Sequence, residues 1–213
     1  MPKLSILVCT VTSRRPFFDS LYKKINRQLT PHVQFLNYCD SGQMTIGAKR
    51  EVLKEAATGD YIVYVDDDDK ISRYYVRNIL EAIDEGYKVS GGVDTIGIRG
   101  FQTSDKQNLK YFDCSIEYKN VKWSTVQNGL VLKPTNHINP VKRELALKSP
   151  FPDYYYGEDK FYAEALKPLL NTEVKADGWL YWYDYRPSNS ESVRMDIEDK
   201  NKGLKALHAA GFE

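Results

Sequence analysis

The stretch at residues 61–69 reads YIVYVDDDD, in which five apolar or aromatic residues precede four consecutive aspartates. A short run rich in β-branched and aromatic residues is typical of a buried strand. Four adjacent carboxylates repel one another, so their position at the end of a strand favours a bound cation. Side chains two apart on an extended segment leave the same face. We therefore expect Asp66 and Asp68 to share one Mg²⁺ or Mn²⁺ ion that holds a phosphorylated substrate.

Strand and helix patterns alternate around this stretch. The sequence predicts strands at 4–10, 33–38, 61–65 and 88–93, and helices at 16–29, 46–57 and 72–86. Such alternation predicts a parallel sheet with right-handed crossovers, in which ligands bind beyond the carboxyl ends of the strands. The polar segments at 10–14, 40–42 and 66–69 each follow a strand, so we expect them to meet in one crevice.

The pattern changes after about residue 95. The sequence there predicts added, partly antiparallel strands at 109–116 and 121–132, then a helix at 158–169, an aromatic strand at 179–185 and a charged helix at 197–210. We see no internal repeat and no clear linker. The whole chain, residues 1–213, is therefore expected to form one domain.

Composition excludes several classes of protein. Lys and Arg number 30 against 29 Asp and Glu, so bulk attraction to nucleic acid or to an anionic membrane is not expected, although residues 14–27 are locally basic. Three widely spaced cysteines argue against a disulfide framework and against a structural zinc site. No segment has the length of a signal sequence or of a membrane span, so the sequence predicts a soluble, cytoplasmic protein.

The acidic run has other interpretations. If Asp66 began an EF-hand loop, Ile71 would occupy the glycine position and Arg77 the bidentate glutamate position, which rejects that calcium site. A D-x-D phosphohydrolase is the next alternative, but Lys70 stands where such enzymes carry Thr or Val. A solvated acidic turn ahead of a helix is the third interpretation.

An ordered series of motifs resembles the family 2 glycosyltransferases of the GT-A fold. The series comprises SILVCT at 5–10, DSG at 40–42, GAKR at 47–50, ATGDYIVYVDDDD at 57–69 and the weaker GED at 157–159. The resemblance implies an α/β fold, the nucleotide-diphospho-sugar transferase fold, with a mostly parallel sheet flanked by helices and added antiparallel strands. It also implies a nucleotide-sugar-binding half at 1–94 and an acceptor-binding half at 95–213.

The implied activity is metal-dependent transfer of a sugar, a hexose or a pentose, from a nucleoside-diphosphate sugar to an acceptor hydroxyl, with inversion at the anomeric carbon. The resemblance implies donor-binding roles for Thr10, Arg14, Asp40, Lys49, Asp66 and Asp67. Asp40 would accept hydrogen bonds from the base, and Thr10 would border the same pocket. Asp68 would be the principal ligand of Mn²⁺ or Mg²⁺, together with Asp66. For Lys49, a surface helix residue is an equal alternative.

The resemblance also implies an acceptor side. Asp159 would be the general base and Glu158 its catalytic neighbour, although acids at a helix start also serve as simple caps. His137 and, by stacking, Trp182 are weaker acceptor-binding candidates. His208 is a weak candidate for a third metal ligand, because an amphipathic tail explains its position equally well.

The acceptor stays open between a saccharide and a hydroxymethylated DNA base. Compact proteins that resemble this chain occur in bacteriophages, where such bases are modified, and the location would then be the host cytoplasm. Two other functions also stay open, namely a D-x-D phosphohydrolase and an inactive nucleotide-sugar-binding module.

Overall fold

The computed structural model describes residues 1–103, 109–123 and 125–184. Over these residues the chain forms one mixed sheet with helices on both faces. The predicted helix at 197–210, His208 and the last residue of the predicted strand at 179–185 lie outside the described part. No helix within that part is long and apolar enough to cross a membrane.

The first half alternates strands and helices as predicted. Its elements are β1 (Leu4–Val11), α1 (Arg15–Asn26), β2 (Val33–Asp40), α2 (Ile46–Ala56), β3 (Tyr61–Tyr64), β4 (Lys70–Ile71) and α3 (Tyr75–Ser90). A short 3₁₀ turn at Thr12–Arg14 leads from β1 into α1. Strand β1 pairs in parallel with β2 on one side and β3 on the other, so the carboxyl ends of all three strands meet at one edge.

The prediction for residues 72–93 is wrong in part. Helix α3 runs through Gly86 to Ser90 and ends where Gly91 adopts a left-handed conformation (φ 70°), so there is no strand at 88–93. Gly86 does not stop the helix. A Cβ atom there would lie 2.9 Å from a methyl carbon of Val93, so the glycine permits close packing inside the helix.

The second half adds the antiparallel strands that the sequence predicts. Its elements are β5 (Thr95–Thr103), β6 (Leu109–Cys114), β7 (Thr125–Gln127), β8 (Leu130–Lys133), β9 (Val141–Lys142), α4 (Arg143–Ala146), α5 (Glu158–Leu166), β10 (Glu173–Lys175) and β11 (Tyr181–Tyr183). The main strand order is β2-β1-β3-β9-β5-β6-β8-β7, with β10 and β11 both parallel to β5, and β4 antiparallel to β11. The predicted strand at 121–132 is instead a hairpin, because Asn128 (φ 51°) and Gly129 (φ 77°) form the turn between β7 and β8.

Side chains of β1 and β3 alternate between two apolar layers. Ile6 and Val63 pack with α1 and α3 on one face, whereas Leu7 and Ile62 pack with α2 and α5 on the other. Burial on both faces explains why the strands read as continuous apolar runs rather than alternating ones. It also fixes the carboxyl edge of the sheet as the place where polar groups can collect.

Candidate functional site

The acidic run forms a turn and not the extended segment that the sequence suggested. Strand β3 ends at Tyr64, and the amide of Asp69 donates to the carbonyl of Asp66 at 3.1 Å. Even so, Asp66 and Asp68 are the more open pair, with side chains 32% and 18% exposed. Asp67 and Asp69 are buried, so the four carboxylates divide into two internal groups and two that face the cleft.

Asp67 anchors the turn to the end of β1. Its Oδ2 accepts a hydrogen bond of 2.6 Å from the Thr10 hydroxyl, and Arg14 Nε donates to both of its oxygens at 2.9 and 3.1 Å. Arg14 Nη2 also lies 2.9 Å from Asp68 Oδ2. The side chain of Asp67 is used inside the protein, which argues against the donor contact expected of it.

Asp69 ties the run to β11. It accepts a 2.6 Å hydrogen bond from the Tyr181 hydroxyl and a 2.9 Å bond from the amide of Asp184. Burial raises the pKa of Asp69 well above its ordinary value. Its role is therefore to hold the second half of the chain against the acidic turn.

Arg50 joins the acidic turn to α5. From α2, its Nη2 donates to Asp66 Oδ1 at 2.8 Å and its Nη1 to Glu158 Oε1 at 2.6 Å. The guanidinium is buried, and its central carbon lies 5.8 Å from the ring centre of Tyr64 and 5.4 Å from that of Phe151. Burial raises the pKa of Glu158 to about 8, although Arg50 opposes the shift. The sequence motif contained Arg50, but the residue was not identified as part of the site.

His137 lies between Asp66 and Asp159. Its Nε2 is 3.3 Å from Asp66 Oδ2, and its Nδ1 is 4.0 Å from Asp159 Oδ2. Its main chain is fixed because the amide of Tyr64 donates to its carbonyl at 2.9 Å. Burial opposes ionisation of Asp66, but His137 and Arg50 together hold the pKa of that carboxyl well below its ordinary value. Residues 66, 137 and 159, far apart in sequence, thus meet in one place.

Asp159 stands at the start of α5, as the sequence predicts. Gly157, with φ 83°, turns the chain into the helix, and the amide of Lys160 donates to Asp159 Oδ1 at 2.8 Å. The side chain is 32% exposed and its other oxygen faces His137. It is therefore positioned both to close the helix turn and to face the cleft.

Asp40, at the end of β2, lies against Lys49 of α2, whose side chain is buried. Asp40 accepts from the amides of Gly42 at 3.1 Å and Met44 at 2.8 Å, and it makes an ion pair with Lys49. Although burial acts in the opposite direction, these partners lower the pKa of Asp40 below its ordinary value. Lys49 Nζ also donates to the carbonyl of Thr10 at 3.3 Å. Lys49 is 2% exposed, so the alternative of a surface helix residue is wrong.

A family model described as "Glycosyl transferase family 2" matches residues 24–147 of this chain. The match spans more than half of the sequence and includes the acidic run. The chain belongs to glycosyl transferase family 2. Its mixed sheet with flanking helices is the GT-A fold, as the sequence motifs predicted.

Solved structures agree with this fold. Residues 1–349 of S. aureus TarS in complex with UDP-GlcNAc match with a TM-score of 0.67 and 14% identity, over 97% of this chain and 66% of that one. The same TarS fragment in complex with UDP matches with a TM-score of 0.60 and 13% identity, over 97% and 72% of the two chains. The chain therefore spans slightly less than two thirds of the first TarS fragment. No curated protein sequence matches it.

The two open carboxylates, Asp66 and Asp68, fit a hard divalent cation. Burial raises the pKa of Asp68 above its ordinary value, and Asp66 and Asp67 add to the shift while Arg14 opposes it. Within the described residues Oδ1 of Asp68 has no hydrogen-bond partner, and no three His, Cys, Asp or Glu side chains converge as a metal cage. Mg²⁺ and Mn²⁺ are commonly held by one or two carboxylates together with water and substrate phosphates. The donor set therefore suits such an ion.

Strand β11 directs Tyr181 and Tyr183 towards the acidic run and its tryptophan elsewhere. The charges of Asp69, Asp66, Asp68 and Asp159 all act on Tyr183. By contrast, Trp182 pairs across the sheet with Phe101, and Lys70 Nζ lies 4.4 Å from its ring centre. Alternation along the strand explains the difference. Stacking of an acceptor on Trp182 remains a prediction, and Tyr183 has the better position for it.

Proposed function

We propose that this glycosyltransferase transfers a sugar from a nucleoside-diphosphate sugar to an acceptor hydroxyl with the help of Mg²⁺ or Mn²⁺, and inverts the anomeric carbon. The observation that carries the proposal is the meeting of Asp66 with Glu158 and Asp159, through Arg50 and His137. One set of carboxylates, which includes Asp66, follows β3, and the other, Glu158 and Asp159, begins α5. This arrangement can hold a donor and deprotonate an acceptor in one cleft, within a single domain divided near residue 95.

The pocket for the nucleotide would be formed at the ends of β1 and β2. Lys49 and two backbone amides keep Asp40 in its ionised form there, so it can accept a further hydrogen bond from the base of the nucleotide. Thr10 borders the same place. The TarS structures bind UDP-GlcNAc and UDP, which makes UDP sugars the first donors to test.

The cation would be held by Asp68, with Asp66 beside it. When bound, it would supply Lewis-acid stabilisation of the negative charge on the leaving diphosphate. Asp66 already has Arg50 and His137 on its two oxygens, whereas Asp68 keeps one oxygen open. Asp68 is therefore the stronger candidate. Arg14 pairs with Asp67 and Asp68, so its proposed role is to orient the acidic turn. We do not expect Arg14 to bind the donor by itself.

The proton in this reaction would move to Asp159. The acceptor hydroxyl gives its proton to the carboxylate, its oxygen bonds to the anomeric carbon, and the bond from that carbon to the diphosphate oxygen breaks with its electron pair. Arg50 and Glu158 hold the start of α5, and His137 limits how Asp159 can turn. The acceptor is a saccharide or a hydroxymethylated DNA base, and it would enter next to Asp159, whose side chain is 32% exposed.

The reaction class is tested by the products formed from UDP-GlcNAc, and from UDP-glucose as a second donor, with Mn²⁺ or Mg²⁺. Slow hydrolysis to UDP and free sugar without inorganic phosphate supports a glycosyltransferase. Inorganic phosphate would instead indicate the phosphohydrolase. Saturable binding with no turnover, even with a wide set of acceptors, would indicate an inactive binding module.

A further inference from the structure

Lys133 is a cation in the cleft that none of the motifs predicted. It is the last residue of β8, beside Cys114 of β6, and its ammonium lies 4.5 Å from the ring centre of Phe112 and 5.3 Å from that of Tyr183. Tyr183 is the aromatic residue that faces the acidic cluster. Phe112 is fully buried whereas Tyr183 is 38% exposed, so the ammonium group lies between the core and the surface next to Tyr183.

Lys133 differs from the other cations of the site because it has no carboxylate partner. Arg14 pairs with Asp67 and Asp68, and Arg50 pairs with Asp66 and Glu158. Lys49 pairs likewise with Asp40. Within residues 1–103, 109–123 and 125–184, Lys133 makes no ion pair and no hydrogen bond through its ammonium. Burial lowers its pKa, and Cys114, Asp69 and Asp159 only partly oppose this shift.

Lys133 lies towards the acceptor side, because it ends the strand that leads within four residues to His137, whose ring lies between Asp66 and Asp159. Asp159, the proposed base, is also one of the two aspartates whose charge acts on the Lys133 ammonium. The other is Asp69, which is already held by Tyr181 and Asp184. A partly buried cation that lies between two aromatic rings, and that has no carboxylate partner among the described residues, is suited to an anion that arrives with a ligand.

We propose that Lys133 binds an anionic group of the acceptor, a phosphoryl or carboxylate group close to the hydroxyl that Asp159 deprotonates. This inference rests on the proposed function and narrows its acceptor to negatively charged molecules. An ammonium group is a point charge with three donors and therefore accepts either kind of anion. A neutral acceptor leaves Lys133 without a partner, so the site would bind it more weakly.

Inorganic phosphate is the simplest probe. We would titrate it by calorimetry into the wild-type protein and Lys133→Met, both in Mg²⁺ with and without UDP. Saturable binding is expected in the wild type and about 10- to 100-fold weaker binding in Lys133→Met, because a charge-assisted contact is lost. Lys133→Arg should retain binding. Lys88→Met, which removes an exposed charge from the end of α3, should bind as the wild type does.

A second arm compares acceptors that differ only in charge. Release of UDP from UDP-GlcNAc would be measured with glucose, glucose 6-phosphate and glucuronic acid. The two acids distinguish a phosphoryl from a carboxylate preference, and the preference for either over glucose should disappear in Lys133→Met. Thermal unfolding of each variant reports whether it is folded, and UDP titrated alone reports on the donor site separately.

The proposal is overturned if phosphate shows no saturable binding to the folded wild type, or binds equally well to Lys133→Met. It is also overturned if the preference for charged acceptors persists in that variant. Failure of UDP to bind while phosphate still binds through Lys133 would contradict the proposed donor chemistry instead. The two failures are therefore distinguishable.

Discussion

Replacement of Arg50 by Met should destabilise the fold more than the loss of any surface ion pair. The guanidinium is 4% exposed and pairs with Asp66 at 2.8 Å and Glu158 at 2.6 Å. Removing one partner of a buried ion pair costs about 3–5 kcal/mol, because the remaining charge is left uncompensated. Asp66 is one third exposed and Glu158 can take up a proton, so we expect a loss at the lower end of this range, about 3 kcal/mol in the free energy of unfolding.

This free energy corresponds to a fall of about 6–12 °C in the melting temperature for a chain of this size. The measurement is thermal unfolding followed by circular dichroism at neutral pH. A matched control is Arg77→Met, whose side chain is 63% exposed and lies 3.7 Å from Glu81, and which should change stability by less than about 0.5 kcal/mol. The double variant Arg50→Met, Asp66→Asn should recover part of the loss, because it removes the charge that Arg50→Met leaves without its partner. If Arg50→Met melted within about 2 °C of Arg77→Met, the bridge between β3 and α5 would not be what holds the two carboxylate groups together.

Three further outcomes are expected. Because Glu158 holds its proton up to a pKa of about 8 in the folded state, against about 4.5 when unfolded, it should make the wild type less stable as pH rises from about 5 to 8. In the wild type this loss in the free energy of unfolding amounts to at most about 1.4 kcal/mol per pH unit. Urea unfolding at several pH values should show that Glu158→Gln lacks it; if the free energy of unfolding fell with pH in parallel in the two proteins, the prediction would be refuted. Gly47→Ala places a Cβ atom 1.9 Å from the carbonyl oxygen of Pro152, so urea unfolding should show a loss of about 1–3 kcal/mol, whereas Gly42→Ala, with nothing within 4 Å, should cost only its backbone strain. His137→Ala should reduce the transfer rate by more than 10-fold and UDP affinity by a smaller factor, since His137 lies between Asp159 and Asp66; loss of UDP affinity with an unchanged transfer rate would place it with the donor alone.

The sequence predicts the fold correctly where the pattern of apolar residues matches the faces that are buried in the structure. Strands β1 and β3 are apolar on both faces because helices cover both sides. Helix α2 begins where the sequence predicts, and Thr45 caps it by accepting from the amide of Ala48 at 3.0 Å. The error at 88–93 has a local cause. A glycine that permits packing, at position 86, was interpreted as a glycine that ends a helix, and only the neighbouring Val93 distinguishes the two.

The site could be predicted less fully. The convergence of the segments after β1, β2 and β3 follows from parallel topology alone, and the structure brings them together. The separate roles of Asp67 and Asp69 could not be predicted, because a tight turn and not strand alternation decides which carboxylates are buried. Arg50 and Lys133 were missed for another reason. The role of Arg50 depends on Glu158, which is 108 residues away, and that of Lys133 on aromatic rings from other strands. Nothing in the sequence near either residue indicates such contacts.

Binding of UDP to Asp68→Asn and Asp159→Asn, measured by calorimetry with and without Mn²⁺, is the most direct test of the account. The account predicts that Asp68→Asn loses the Mn²⁺-dependent part of UDP binding, while Asp159→Asn binds UDP as the wild type does but no longer transfers sugar. Equal loss of UDP affinity in both variants, or no effect of Mn²⁺ on the wild type, would contradict a cleft in which one carboxylate group holds the donor and the other activates the acceptor.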